Sequence, residues 1–272
     1  MTCTFRVLGC SGGISQDLRT TSFLINDNIL IDAGTGVGDL TLDELRKIDY
    51  LFLTHSHLDH ICSLPLMLDA VGVNRPKPLI VYGIAHTIQA LRSHIFNDVI
   101  WPDFTKIPSL EKPCVAFETI KIGQTVSVDH VQITALPVNH SIPANGYWID
   151  SGEGALVFSG DTGPSKEFWE AINSNINSKK IKNDRTQDYL QHLIIETSFT
   201  NTEQELAKLS GHYHPESLVM NVQKLNSLCS IWITHLKPDE APKIMQEITS
   251  CLEQSQAEFQ VQSIKSGQVL KF

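Results

Sequence analysis

Apolar residues in the first sixty positions come in short runs, CTFRVLG, SFLIND, NILIDAG and DYLFLTH, separated by Gly-rich or Asn/Asp turns. That is the pattern of strands joined by tight connections, and it predicts an amino-terminal β-meander. After His60 the apolar spacing becomes helical in LPLMLDAV and, past the strand PLIVYG, in IAHTIQALRSHI, so helices are expected to cover the sheet. Residues 101–113, with Pro102, Pro108 and Pro113, read as an irregular loop. Strands return in CVAFETI, TVSVDHVQITALPV, NGYWID and GALVFSG. Pro164 then opens a helix, PSKEFWEAI, where proline is tolerated. Residues 173–188 are polar and rich in Lys and Asn and read as a solvated loop, whereas HLIIETSF and CSIWITH read as buried strands, each followed by a helix. Groups of strands and helices alternating in this way predict an α/β chain, a four-layer αββα sandwich, with residues 1–272 as one domain.

Composition narrows the classes. With 272 residues, 42% of them hydrophobic, the chain can bury a sizeable core. No apolar run approaches the ~20 residues that span a bilayer, and the start lacks a basic region followed by a long apolar segment. A cytoplasmic protein with no membrane partner is the expectation. The six cysteines, Cys3, Cys10, Cys62, Cys114, Cys229 and Cys251, form no CxxC pair and read as reduced core residues rather than a disulfide framework. A net charge of −9 argues against an extended nucleic-acid footprint, which needs a Lys/Arg-rich face. A small anion remains compatible, because bound metal ions can dominate the local field.

The chemistry concentrates in THSHLDH at 54–60, where an apolar strand runs into three histidines and an aspartate. In an extended segment side chains alternate, so His55, His57 and Asp59 are expected on one side, with His60 joining them if the chain turns. Imidazole nitrogen with carboxylate oxygen suits zinc, with manganese or iron as alternatives. Three more candidates each follow an apolar strand: His140 after ITALPVN, Asp161 after LVFSG and His235 after SIWIT. Alone, each would be an ordinary surface or core residue; beside THSHLDH they read as ligands. Seven donors exceed what one tetrahedral ion uses, so two divalent ions are expected. His55, His57 and His140 would hold the first, Asp59, His60 and His235 the second, and Asp161 would bridge them. Asp32 and Thr54 are candidate supports, since a ligating histidine usually donates its other N–H to a carboxylate or carbonyl. Asp32 as a mere cap of the Asp-Ala-Gly-Thr-Gly turn is an equal reading. LGCSGGI is Gly-rich without the spacing of a phosphate loop and reads as a tight turn at the site mouth. His86, His94, His130 and His192 lack such placement and read as structural or surface residues.

THSHLDH, His140, SGDTG at 159–163 and THLKP at 234–238 resemble the successive metal motifs of the metallo-β-lactamase superfamily. Within it, HLDHICSL, SGDTGP followed by FWEAI, IIETSF at 194–199 and LSGHYHPESL at 209–218 resemble class II cyclic nucleotide phosphodiesterases. The resemblance implies hydrolysis of 3′,5′-cyclic nucleotides, cAMP or cGMP, to nucleoside 5′-monophosphates by a hydroxide bridging two metals about 3.5–4 Å apart. A small anionic nucleotide is then the partner; a homodimer is compatible with the sequence, which does not itself fix the oligomeric state. Catalytic roles would fall to Asp59, which orients the hydroxide or takes its proton, to the bridging Asp161, and to His212. The last follows Gly211 and precedes a helix that Pro215 can start, a place that favours anions, and His214 is expected to be more exposed and less important.

The nearest alternative is a tRNA 3′-processing endonuclease. Its members carry a histidine where Ile195 stands here, and an RNA-binding arm between the third and fourth motifs for which the His140–Asp161 segment is too short. A thioester or lactone hydrolase is another alternative, since fold does not choose substrate. A non-catalytic metal-binding scaffold is a third, although scaffolds of that kind would have lost ligands.

Overall fold

Strand after strand of this chain is apolar on both faces, which is what a sheet covered on both sides requires. The computed structural model describes residues 2–183, 189–257 and 259–272. One sheet is formed, in spatial order, by β1 (Thr4–Gly9), β2 (Ser22–Ile25), β3 (Ile29–Ile31), β4 (Tyr50–Phe52), β5 (Leu79–Gly83) and β6 (Val115–Thr119). The other is formed by β7 (Thr125–Val128), β8 (Val131–Pro137), β9 (Asn145–Asp150), β10 (Ala155–Phe158), β11 (Leu190–Glu196), β12 (Ser230–Thr234) and β13 (Val261–Ser263). A final strand, β14 (Val269–Lys271), pairs antiparallel with β1 at the outer edge of the first sheet.

Alternation along each strand assigns its residues to two layers. In β2 and β3, Phe23, Ile25, Ile29 and Ile31 face the second sheet, while Leu24 and Leu30 face α1 (Leu42–Lys47) and α3 (Ser63–Val71). From the other side, Tyr147, Ile149, Leu156, Phe158 and Ile194 enter the inter-sheet core. Trp148, Val157, Leu193 and Ile195 pack outward on α5 (Lys166–Asn183), α7 (Pro215–Val222) and α8 (Ala241–Ser255). The expected αββα sandwich is what the chain forms. Phe23 joins the sheets: it is fully buried, with ring centroids 4.9 Å from both Phe5 and Phe158. Phe23→Ala should cost about 3–5 kcal/mol in urea unfolding, as large cavities at well-packed sites do; a loss under about 1 kcal/mol would contradict this packing account.

Three expectations need correction. The amino-terminal third is a meander only through β3, because α1 intervenes and β4 pairs parallel with β3. The stretch from 173 is not a loop: α5 continues to Asn183, because Ile172 and Ile176 carry the buried stripe of Phe168 and Trp169 onward. The rest of that expected loop, 184–188, lies outside the described residues. The cysteines form no disulfide, but only Cys3 and Cys114 are buried, and the other four are half-exposed. Among the described residues no helix is long and apolar enough to cross a membrane.

Candidate metal centre

β3 to β6 run parallel, and so do β10 to β13, while β8 points the same way as β10 because each is antiparallel to β9. The carboxyl ends of these strands share one edge, where sites of α/β folds gather. Asp32 follows β3, Thr54, His55 and His57 follow β4, and His140, Asp161 and His235 follow β8, β10 and β12. Asp59 is not on an extended segment as expected, and His60 joins the group through the turn that its place required. His57 is the residue before α2 (Leu58–Ile61), and the first turn of that helix carries both side chains inward.

The candidate ligands converge in two groups that share Asp161. The ligand atoms of His55, His57, His140 and Asp161 lie within 4.8 Å of one another, as do those of Asp59, His60, Asp161 and His235. Asp161 Oδ2 is 3.7 Å from His55 Nε2, 3.4 Å from His60 Nε2 and 3.3 Å from His235 Nε2. His57 Nδ1 approaches His55 Nε2 at 3.0 Å and His140 Nε2 at 3.2 Å.

Contacts on the far side of each ring fix which nitrogen faces inward. His60 Nδ1 donates to Asp32 Oδ2 at 2.7 Å and His140 Nδ1 to the Gly211 carbonyl at 3.0 Å. His55 Nδ1 lies 3.0 Å from Thr54 Oγ1, and His235 Nδ1 lies 2.8 Å from Ser198 Oγ. Nε2 of these four rings is therefore the free nitrogen, and only His57 presents Nδ1. Asp32 does more than cap a turn: it is fully buried and also accepts from the Thr54 N–H and hydroxyl, each at 2.8 Å.

Burial pushes His55 well below the usual imidazole range and lowers His57 and His140, keeping all three neutral, the form that binds metal. Burial raises the Asp32 carboxyl against the pull of His60 and Thr54. Asp59 and Asp161 are held below the carboxylate range, against their burial, by His235 and His60.

Close packing shapes the rim. A Cβ on Gly12 would lie 2.9 Å from His235 Nδ1 and 2.6 Å from its carbonyl, so the LGCSGGI turn must pass bare backbone there. His235 itself has φ 60°, a left-handed conformation that is unfavourable for a histidine and tends to cluster at functional sites.

His212 stands beside the donors, its ring centroid 4.9 Å from that of His140 and 5.5 Å from that of His235. Its Nδ1 donates to Glu196 Oε1 at 2.7 Å, and Ser198 Oγ donates to Glu196 Oε2 at 3.1 Å. His212 is raised above the usual imidazole range: burial lowers it, and the buried Glu196 carboxylate outweighs that. His214 is more exposed; its Nδ1 contacts Asn201 Oδ1 and its N–H donates to Ser217 Oγ at the start of α7. Glu196 and Ser198 were not singled out in the sequence. The signal was present, since Glu196 ends an apolar strand just as Asp161 and His235 follow theirs.

Fold and site define a metal-binding hydrolase of the metallo-β-lactamase fold. A protein of that fold from Bacillus subtilis superposes with a TM-score of 0.72 at 20% identity, covering 100% of this chain and 99% of its own. The chain belongs to the class-II cAMP phosphodiesterases, whose family profile matches residues 39–237. A relative from Yersinia pestis, named a probable 3′,5′-cyclic-nucleotide phosphodiesterase, is 27% identical over 279 residues, spanning 87% of this chain and 79% of its own. The crystal structure of unliganded yeast PDE1 superposes with a TM-score of 0.81 at 17% identity, covering 100% of this chain and 99% of that one.

Proposed function

We propose that this chain hydrolyses 3′,5′-cyclic nucleotides to nucleoside 5′-monophosphates with two divalent metal ions. The observation that carries the reading is the pair of donor groups sharing Asp161, with the Glu196–His212 pair beside them, in a chain of the class-II family. The residues fit two cations. His60 Nε2 is buried without a hydrogen-bond partner among the described residues, and the ring nitrogens of His55 and His140 converge on His57 Nδ1 within 3.2 Å. His55, His57, His140 and Asp161 would hold one ion; Asp59, His60, Asp161 and His235 would hold the other. Such ions polarise phosphoryl oxygens and acidify bound water. Imidazole and carboxylate donors favour zinc, with manganese or iron as substitutes.

The chain's own groups then supply orientation and protons. Asp59, whose side chain is 31% exposed, faces the mouth and accepts a proton from the attacking water as its oxygen bonds to phosphorus. The P–O3′ bond breaks, and His212 Nε2 gives the 3′-oxygen its proton. Glu196 fixes the His212 tautomer and favours the protonated ring that this donation needs.

Assayed against cAMP, cGMP, a precursor tRNA with a 3′ trailer, bis(p-nitrophenyl) phosphate and a thioester, the metal-loaded protein should turn over a cyclic nucleotide with the highest kcat/KM. Preference for precursor tRNA would replace this reading with the endonuclease one, and thioester cleavage without phosphodiesterase activity would sink it. The segment from His140 to Asp161 holds only the hairpin of β9 and β10, which supports the first outcome.

A further inference from the structure

A second chemical feature adjoins the donors. Between the His57 loop and α4 (Ala85–Ala90) lies a cavity of about 470 Å³, lined in part by His57, His86, Gln89, Ser93, His94 and Ile142. That volume lies within the range of small-molecule sites, and one wall is a candidate metal ligand. We propose that it receives the nucleobase of the substrate and reads adenine through Gln89, an inference that rests on the cyclic-nucleotide reading above.

The helix beside the cavity is built unusually. α4 continues as a π-helical turn over Leu91–Ile95, closed by the Phe96 N–H donating to the Leu91 carbonyl at 2.9 Å. At about 100° per residue an uninterrupted α-helix would place His94 roughly 80° away from His86. His86, Gln89, Ser93 and His94 stand at i, i+3, i+7 and i+8, the spacing of one helix face, and the wider π turn, which advances each residue by less, narrows that stripe. π turns are rare and concentrate at functional sites. Among the described residues the side chains of His86, Gln89 and His94 make no hydrogen bond, so their polar edges are available to a ligand.

The wall chemistry selects the base. On the N7 edge a glutamine amide pairs in two places with adenine, whereas guanine presents two acceptors there, which Arg or Lys reads. Among the described residues no Arg or Lys lines this cavity, and Arg92, on the same helix, is engaged over the Phe117 ring at 5.1 Å. Ser93 and the two imidazoles supply further donors and acceptors, and Ile142 an apolar face. The cavity on the far side of His212, about 460 Å³, carries Lys208 instead, a cation suited to an anion rather than to a neutral base.

Metal-loaded wild type and Gln89→Ala should be compared for KM and kcat on cAMP, cGMP and bis(p-nitrophenyl) phosphate, and for calorimetric binding of AMP against ribose 5-phosphate. The expected result is a rise in KM for cAMP of about 5- to 150-fold, the worth of a two-point base contact, with a far smaller effect on the substrate that carries no base. AMP should also lose its advantage over ribose 5-phosphate in the variant. Gln89→Arg should move the kcat/KM ratio toward cGMP. If wild type turns over cAMP but both Gln89→Ala and His94→Ala keep its KM, or if Lys208→Ala raises that KM instead, the subsite is wrong and the phosphodiesterase reading stands. If wild type hydrolyses bis(p-nitrophenyl) phosphate and neither cyclic nucleotide, that reading fails and the subsite with it.

Discussion

Asp161→Ala is expected to lower bound metal from about two ions per chain to one or fewer and to reduce kcat/KM on a cyclic nucleotide by about 10³-fold or more, since metal contributions are worth several kcal/mol. Asp161 Oδ2 faces His55, His60 and His235 within 3.7 Å, and among the described residues Asp161 is the side chain that belongs to both donor groups. The same carboxylate would offset the mutual repulsion of two cations held side by side, which is why single removal of His57 should do less harm. Elemental analysis of the purified variant, beside a far-UV spectrum showing that it folds, gives the answer. A folded Asp161→Ala protein with two tightly held metals and full activity would remove the bridge. Reversible loss of wild-type activity with a chelator is the companion expectation.

His212→Ala should keep both metals and lose about 10²–10⁴-fold in kcat, the usual worth of a positioned general acid. His214→Ala should lose far less, because that side chain turns to Asn201 and the start of α7. Glu196→Gln separates proton donation from packing. The Glu196 carboxylate raises His212, and catalysis needs the protonated ring, so the alkaline limb of the kcat profile should move to lower pH when that charge is removed. A loss under about threefold in His212→Ala, with both metals retained, would show that the ring only packs beside His140 and His235.

The parts of the site that were legible were contiguous or marked by strand ends. THSHLDH is a single stretch, and an apolar strand that stops at a polar residue announces His140, Asp161 and His235 in the same way. Glu196 satisfied that rule and was missed because its partner, His212, lies 16 residues further on across two helices. The helical continuation through Ile172 and Ile176 was missed for a different reason. The exposed face of an amphipathic helix has the composition of a loop, and only its buried stripe distinguishes the two. Asp59 was placed by the wrong local geometry, since a helix start, not a strand, turns it inward, whereas His60 joins it through a turn of the chain.

By itself the sequence determined the layered fold and the family, because strand alternation and local motifs are written in short windows where neighbours in sequence are neighbours in space. Tertiary structure decided which ring nitrogen each histidine presents, because that depends on Asp32, Thr54, Ser198 and the Gly211 carbonyl, most of them far along the chain. It likewise decided the parallel pairing of β3 with β4 and the Glu196–His212 pair. His86 and His94, unremarkable as letters, share a cavity wall with His57 because α4 packs beside the His57 loop. Such juxtapositions are set by packing of whole sheets and helices, a sum of many weak contacts that no local window of residues contains.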